Sequence, residues 1–231
     1  DVYFVMKKLD SAAEWFQKAI EINPNIETAY RYWGDALMQA NQPEAARQKF
    51  IAAVVAEPYS RSSWTGLKQW ADRTGHELAH PRVEPKAAPT ANSKDPAAKG
   101  VTINIDAGSP KDADNAGSWL IYAAYRTTWR TEEFAKAYPD EKEYRHSLPE
   151  EVGAFQVLLA MLEESKDLGD PHNESFRNLA ALSKDEMLEA YVLLSAPDEG
   201  IAQDYPAYRA AHRDVLQAYM DKYVVREKKK K

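Results

Sequence analysis

Cysteine is absent from all 231 residues, which removes disulfides, thiolate-ligated zinc or iron–sulfur centres and cysteine nucleophiles from the possible chemistries. Without thiols there is also no redox clue to compartment, so localisation stays open. No apolar run approaches the roughly 18 residues that a membrane-spanning helix requires. The opening residues Asp1 to Lys8 lack an initiating Met, a basic first stretch and a long apolar core, so they do not read as a signal peptide. They are expected to be the cut end of a longer chain. There is no G-x-S-x-G, no phosphate-cradling glycine loop and no dinucleotide fingerprint, which leaves the common hydrolase, kinase and dehydrogenase readings without residues to rest on.

What is present is the composition of a soluble globular protein, 44% apolar and 29% charged. A chain of this length makes one large domain or two modest ones and can bury roughly 70% of its unfolded surface. The net charge of −6 is unevenly spread, because Glu132 to Glu199 holds 17 acidic and 6 basic side chains. Such a block repels phosphate backbones, and nucleic-acid binding is not expected. The basic run Lys228–Lys231 reads as a solvated terminus.

A period of 34 runs through the first third of the chain and matches Ala12 with Ala46, Phe16 with Phe50, Ala19 with Ala53, Pro24 with Pro58, Tyr30 with Trp64 and Trp33 with Leu67. Spacings of three and four place the small and aromatic residues on one helical stripe. Gly34, Ala46 and Ala53 are small where two helices would pass closely, and Trp33, Leu37 and Phe50 are large enough to fill the space between them. Pro24 and Pro58 end helices, since the residue before a proline avoids the helical region. The order Tyr30, Trp33, Gly34, Leu37, Ala46, Phe50, Ala53, Pro58 resembles the tetratricopeptide repeat (TPR). The resemblance covers residues 1 to about 74: most of one repeat, one full repeat and the first helix of a third. That third helix departs from the pattern, with Lys68 where Gly is expected, and fits a capping helix with a polar outer face. Since about three repeats are usually needed for stability, either further repeats precede Asp1 or the downstream chain completes the core.

What the resemblance implies is binding of a protein or peptide in a groove lined by the first helix of each hairpin. With Trp33, Gly34 and Leu37 packed inward, Arg31, Asp35, Met38 and Gln39 face that groove, joined by Thr65, Gln69 and Asp72 of the third helix. Asp35 and Asp72 stand where capture of a partner's terminal carboxylate would want neutral or basic groups, so carboxylate capture is not expected.

From Pro81 to Pro110 five prolines interleave with Ala, Lys, Asp, Ser and Thr, the composition of a semi-extended linker. Within it, 101–106 alternates apolar with polar and predicts one short strand, packed on its own domain. Helices are predicted from Ser118, with Trp119, Tyr122, Tyr125 and Trp129; from Pro149-Glu150-Glu151, with Phe155, Leu158, Leu159 and Leu162 inward; after a capping-box signature at Ser183-Lys184-Asp185-Glu186; and from Pro206. The aromatic load, Tyr138 and Tyr144 included, reads as core, with an interface role as the other possibility.

His76-Glu77-Leu78-Ala79-His80 matches H-E-x-x-H, in which two imidazoles one helical turn apart hold zinc and the Glu serves as general base. Gly75 just before and Pro81 just after favour instead a last helical turn with exposed imidazoles. The paired acids Glu132-Glu133, Glu163-Glu164 and Asp198-Glu199, with Asp204, read as solvated faces or helix ends. His146, His172 and His212 stand singly, without metal-ligand spacing.

The fold class expected is all-α: a TPR-type hairpin stack over residues 1–80, a linker over 81–116 with a strand at 101–106, a helical domain over 117–226 and a basic tail over 227–231. The function expected is a non-enzymatic scaffold for protein or peptide partners, with no cofactor. The alternative is a zinc-dependent hydrolase using His76, Glu77 and His80.

Overall fold

The computed structural model describes residues 2–91, 101–106, 110–164, 173–195 and 197–228. His172, the 92–100 part of the linker and the last three lysines lie outside the described residues. The fold is all-α with a few short strands. In chain order it contains α1 (Val2–Val5), α2 (Leu9–Ile22), α3 (Glu27–Gln39), α4 (Pro43–Ala56), α5 (Arg61–Thr74), β1 (His76–Leu78), β2 (Ala87–Ala91), β3 (Val101–Ile105), α6 (Pro110–Thr128), α7 (Phe134–Ala137), α8 (Leu148–Glu164), α9 (Glu174–Lys184), α10 (Leu188–Ser195), α11 (Tyr205–Ala211), α12 (Arg213–Tyr219) and β4 (Val225–Glu227). Two π-helical turns, Trp129–Glu133 and Met220–Val224, extend α6 and α12. Among the described residues no helix is long and apolar enough to cross a membrane.

The chain divides into two compact units, Asp1–His80 together with Tyr208–Lys231, and Pro81–Ala207. This differs from the expected helical domain over 117–226, because the last helix returns to the first unit. The physical reason lies in α4. Its residues Phe50, Ile51, Ala52, Ala53, Val54, Val55 and Ala56 are all buried, so its second half is apolar on every side and must be covered on every side. Helices α3, α5 and α12 supply that cover. Burial of each large apolar side chain there contributes about 1.5–3 kcal/mol.

Phe50 sits between two glycines. A Cβ on Gly34 of α3 or on Gly66 of α5 would lie 2.6 Å from its ring, so both flanking helices can approach the ring only because these positions are bare. The missing glycine at Lys68 is therefore replaced two residues earlier, by Gly66. The indoles of the third helix are anchored by backbone carbonyls: Trp64 Nε1 donates to Pro58 O at 2.7 Å and Trp70 Nε1 to Pro43 O at 2.8 Å. Gly75 ends α5 in the left-handed region, φ 78°, and β1 then pairs antiparallel with β4, His76 opposite Glu227 and Leu78 opposite Val225. The downstream chain contributes to this core, since α12 packs on α4.

In the second unit the predicted strand has a partner within the linker itself: β3 pairs antiparallel with β2, Ile105 opposite Ala87 and Ile103 opposite Pro89. Proline is tolerated because both strands of a two-stranded ribbon are edges. The ribbon packs on α6, and α6 packs on α8. Helix α6 opens at Pro110, eight residues before Ser118, which is itself buried inside the helix; a proline suits the first helical position. Ser183 and Lys184 close α9, and α10 opens at Leu188. The apolar stripe Phe176, Leu179, Leu182, all buried, carries α9 into the first two residues of the capping-box signature. Trp119 packs on Phe176 and Tyr122, and Tyr122 stacks on Phe155, with ring centroids 5.3–5.7 Å apart. These aromatics form the core of the unit.

Candidate functional site

Two places carry chemistry, one in each unit. In the first, α3 and α5 pack side by side and bring Arg31 and Asp35 next to Gly66 and Arg73. Arg31 Nε bonds Glu27 Oε1 at 2.7 Å, and its guanidinium lies 4.6 Å over the Tyr32 ring. Asp35 is half-buried; burial raises its carboxyl above the ordinary range, against the pull of Arg31 and Arg73. Of the sequence-predicted groove residues, Met38 is half-buried while Gln39, Gln69 and Asp72 are exposed. Thr65 turns back to its own helix, Oγ1 donating to Arg61 O at 3.0 Å, and Asp72 pairs with Lys228 at 3.3 Å. Sequence reasoning missed Arg73, whose charge acts on Asp35 together with that of Arg31 and which its place one turn beyond Gln69 could have revealed.

The H-E-x-x-H residues do not lie on a helix. His76, Glu77 and Leu78 form β1, and four residues of extended chain span up to about 13 Å, not one helical turn. The expected exposed imidazoles are also absent: His76 Nδ1 pairs with Thr74 Oγ1 at 2.9 Å and stacks on Trp70, and His80 Nδ1 pairs with Tyr219 Oη at 2.8 Å. Burial, aided by Arg226, lowers the His80 pKa to about 4, so this imidazole is neutral at physiological pH. Pairing of His76 with Glu227 and of Leu78 with Val225 holds this segment as a strand. Among the described residues no group of three or more His, Asp or Glu is arranged to hold a metal ion.

The second place is a buried ionic network. The acids Glu150 and Glu151, read from sequence as helix-end charges, stand in the first turn of α8 with only 0% and 8% of their surface exposed. Arg126 of α6 reaches both, Nε 2.9 Å from Glu150 Oε1 and Nη1 3.6 Å from Glu151 Oε2. Tyr122 donates to Glu151 at 2.7 Å and Tyr144 to Glu150 at 2.8 Å. His146 lies between two carboxylates, Nδ1 2.7 Å from Asp198 Oδ2 and Nε2 2.9 Å from Glu151 Oε2. Both partners are acceptors, so both ring nitrogens must donate and the ring is an imidazolium. Burial works against that charge, but the bonds to Asp198 and Glu151 prevail and raise its pKa to about 9. Asp198 is likewise held down to about 2: burial is outweighed by His146 and by the backbone N–H groups of Ile201 and Gly200. Burial pushes Glu150 upward in spite of Arg126. Glu151 is held low by His146 and Arg126 although burial opposes them.

A second clasp adjoins the first. Arg145 grips Asp204 through Nη1 and Nη2 at 3.0 and 2.7 Å, and Asp204 Oδ2 accepts Leu148 N at 2.7 Å, capping α8 from a distance. Asp198 and Asp204, expected on solvated faces, and His146, expected to stand alone, are thus joined to α8. Chemically, an imidazolium with both nitrogens committed is neither base nor nucleophile; it is a charged pin. Beside it lies a cavity of about 220 Å3 whose polar wall is His146, Glu151, Asp198, Tyr191 and Ser195.

No family model, no curated protein and no solved structure matches the chain.

Proposed function

We propose that the chain is a non-enzymatic scaffold that binds a protein or peptide partner through the α3–α5 face of a TPR-like stack. One observation carries this reading: Asp35 is kept half-buried beside Arg31 and Arg73 on two neighbouring helices, a place where polar groups of both signs are oriented on a rigid support and still reachable. A rigid helical face loses little freedom on binding, which favours affinity. The acidic block between Glu132 and Glu199 argues for protein rather than nucleic acid as partner.

The test uses the tagged full-length chain in pull-downs read by quantitative mass spectrometry, followed by calorimetry with each purified prey. Prey retained by the wild type and by Glu77→Gln, and lost from Asp35→Lys, supports the reading. A prey set that Asp35→Lys leaves unchanged removes the α3–α5 face as the binding site.

A further inference from the structure

The two β-ribbons have four outer edges, and three of them are protected against pairing with a foreign strand. Strands β1 and β4 are three residues long and carry Glu77, Arg226 and Glu227; short, charged edges resist further pairing. On β2 the protection is Pro89. Strand β3, Val-Thr-Ile-Asn-Ile over 101–105, has neither a charge nor a proline. Among the described residues no strand lies on its outer side.

The ladder fixes which groups that side presents. Asp106 N donates to Lys86 O at 2.7 Å, so these two residues form a hydrogen-bonded pair, and by the alternation of an antiparallel ladder so do Ala88 with Asn104 and Thr90 with Thr102. Pro89 opposite Ile103 falls on a non-bonded pair, where no N–H is needed. The N–H and C=O groups of Val101, Ile103 and Ile105 therefore point outward, away from β2. The side chains of Val101 and Ile103 are half-buried, those of Thr102 and Asn104 are exposed, and Ile105 is 48% exposed.

We infer that β3 pairs with β3 of a second copy of this chain, antiparallel about a two-fold axis at Ile103, to give a four-stranded sheet in the order β2-β3-β3-β2. The strand's own pattern selects this occupant. With Ile103 on the axis, Val101 stands opposite the partner's Ile105, and every outward donor and acceptor of the three residues meets one from the other copy. Apolar side chains face apolar ones, Thr102 faces the partner's Asn104, and no charge stands opposite another. Both outer edges of the resulting sheet are β2 with its Pro89, so the assembly closes at two chains.

Sedimentation velocity of the full chain tests this. So small an interface is weak, and the mean mass should climb from one chain toward two between roughly 10 and 500 µM. Ile103→Pro removes a donor that β2 does not use and, with native circular dichroism, should hold the chain monomeric throughout. Two variants of the exposed face test the register. Thr102→Lys/Asn104→Lys sets like charges opposite each other across the axis and should weaken association roughly tenfold. Thr102→Lys/Asn104→Glu sets opposite charges there and should associate at least as tightly as the wild type. Both lose the bond from Asn104 Nδ2 to Thr90 Oγ1, so that loss does not account for a difference between them. A wild type that stays monomeric overturns the inference. So does association that Ile103→Pro leaves intact, that the two charge variants fail to distinguish, or that runs on past dimers.

Discussion

The two units solve the same problem, holding helices together, with opposite materials. The first does it with shape: a phenyl ring between two bare glycines, and a helix whose second half is apolar on every side and is wrapped by three others. The second does it with charge: two cations and three carboxylates, most of them out of water, fix the start of α8 to α6 and to the 197–200 loop. Shape tolerates small losses gradually, since each methylene matters alone. A buried ionic network is different, because removing one member strands the others in a medium of low dielectric.

That difference is sharpest for Arg126→Met. It leaves Glu150 and Glu151 without their shared guanidinium, and breaking a buried pair from one side costs about 3–5 kcal/mol. Hydrogen exchange should show protection lost across α6, α8 and α10 while α3 to α5 keep theirs. Equal loss in both units would contradict the contrast.

Acid and base should separate the units almost as strongly. His80 in the first unit has its folded pKa lowered from 6.5 to about 4, so its share of stability is present above 6.5 and lost as pH falls toward 4. His146 in the second has it raised from 6.5 to about 9, so its share is full below 6.5 and lost as pH rises through 9. Each shift corresponds to about 3 kcal/mol at most. Melting followed by hydrogen exchange at pH 5 should find the first unit weakened, and at pH 9.5 the second; matching profiles in the two would refute both assignments.

Gly34→Leu forces α3 away from Phe50 and should cost about 1–3 kcal/mol. The thermal midpoint and affinity for any partner of the α3–α5 face should fall together, and adding Phe50→Leu should restore part of the midpoint. The smallest effect belongs to Glu77→Gln, exposed on β1, where a change within about 0.5 kcal/mol is expected and zinc titration calorimetry should give no heat that depends on this residue.

The first unit was largely legible because shape has a period. Phe50 and Ala53 repeat Phe16 and Ala19 at an offset that a single sequence displays, and the structure adds Gly66, the strand pair β1–β4 and the returning helix. The ionic network has no period. Glu150 and Glu151 look like any acids at a helix start, and their partners Arg126, His146 and Asp198 are set by tertiary packing across 72 positions. One hint existed: Tyr122 and Tyr144, the two hydroxyls that bond these acids, sit among the aromatics singled out as core, and buried hydroxyls require partners. The strand at His76 was misread for a similar reason, since its pairing residues lie about 150 positions away.

That distant pairing bears on how the protein is made. His76 emerges from a ribosome 151 residues before its strand partner Glu227, an interval of roughly 8 to 30 s at ordinary elongation rates of about 5–20 residues per second. Throughout it the second unit can finish folding while one flank of α4 waits uncovered. The nascent first unit is therefore the part most in need of a chaperone, and slowing translation after Ala207 lengthens its exposure without touching a single native contact.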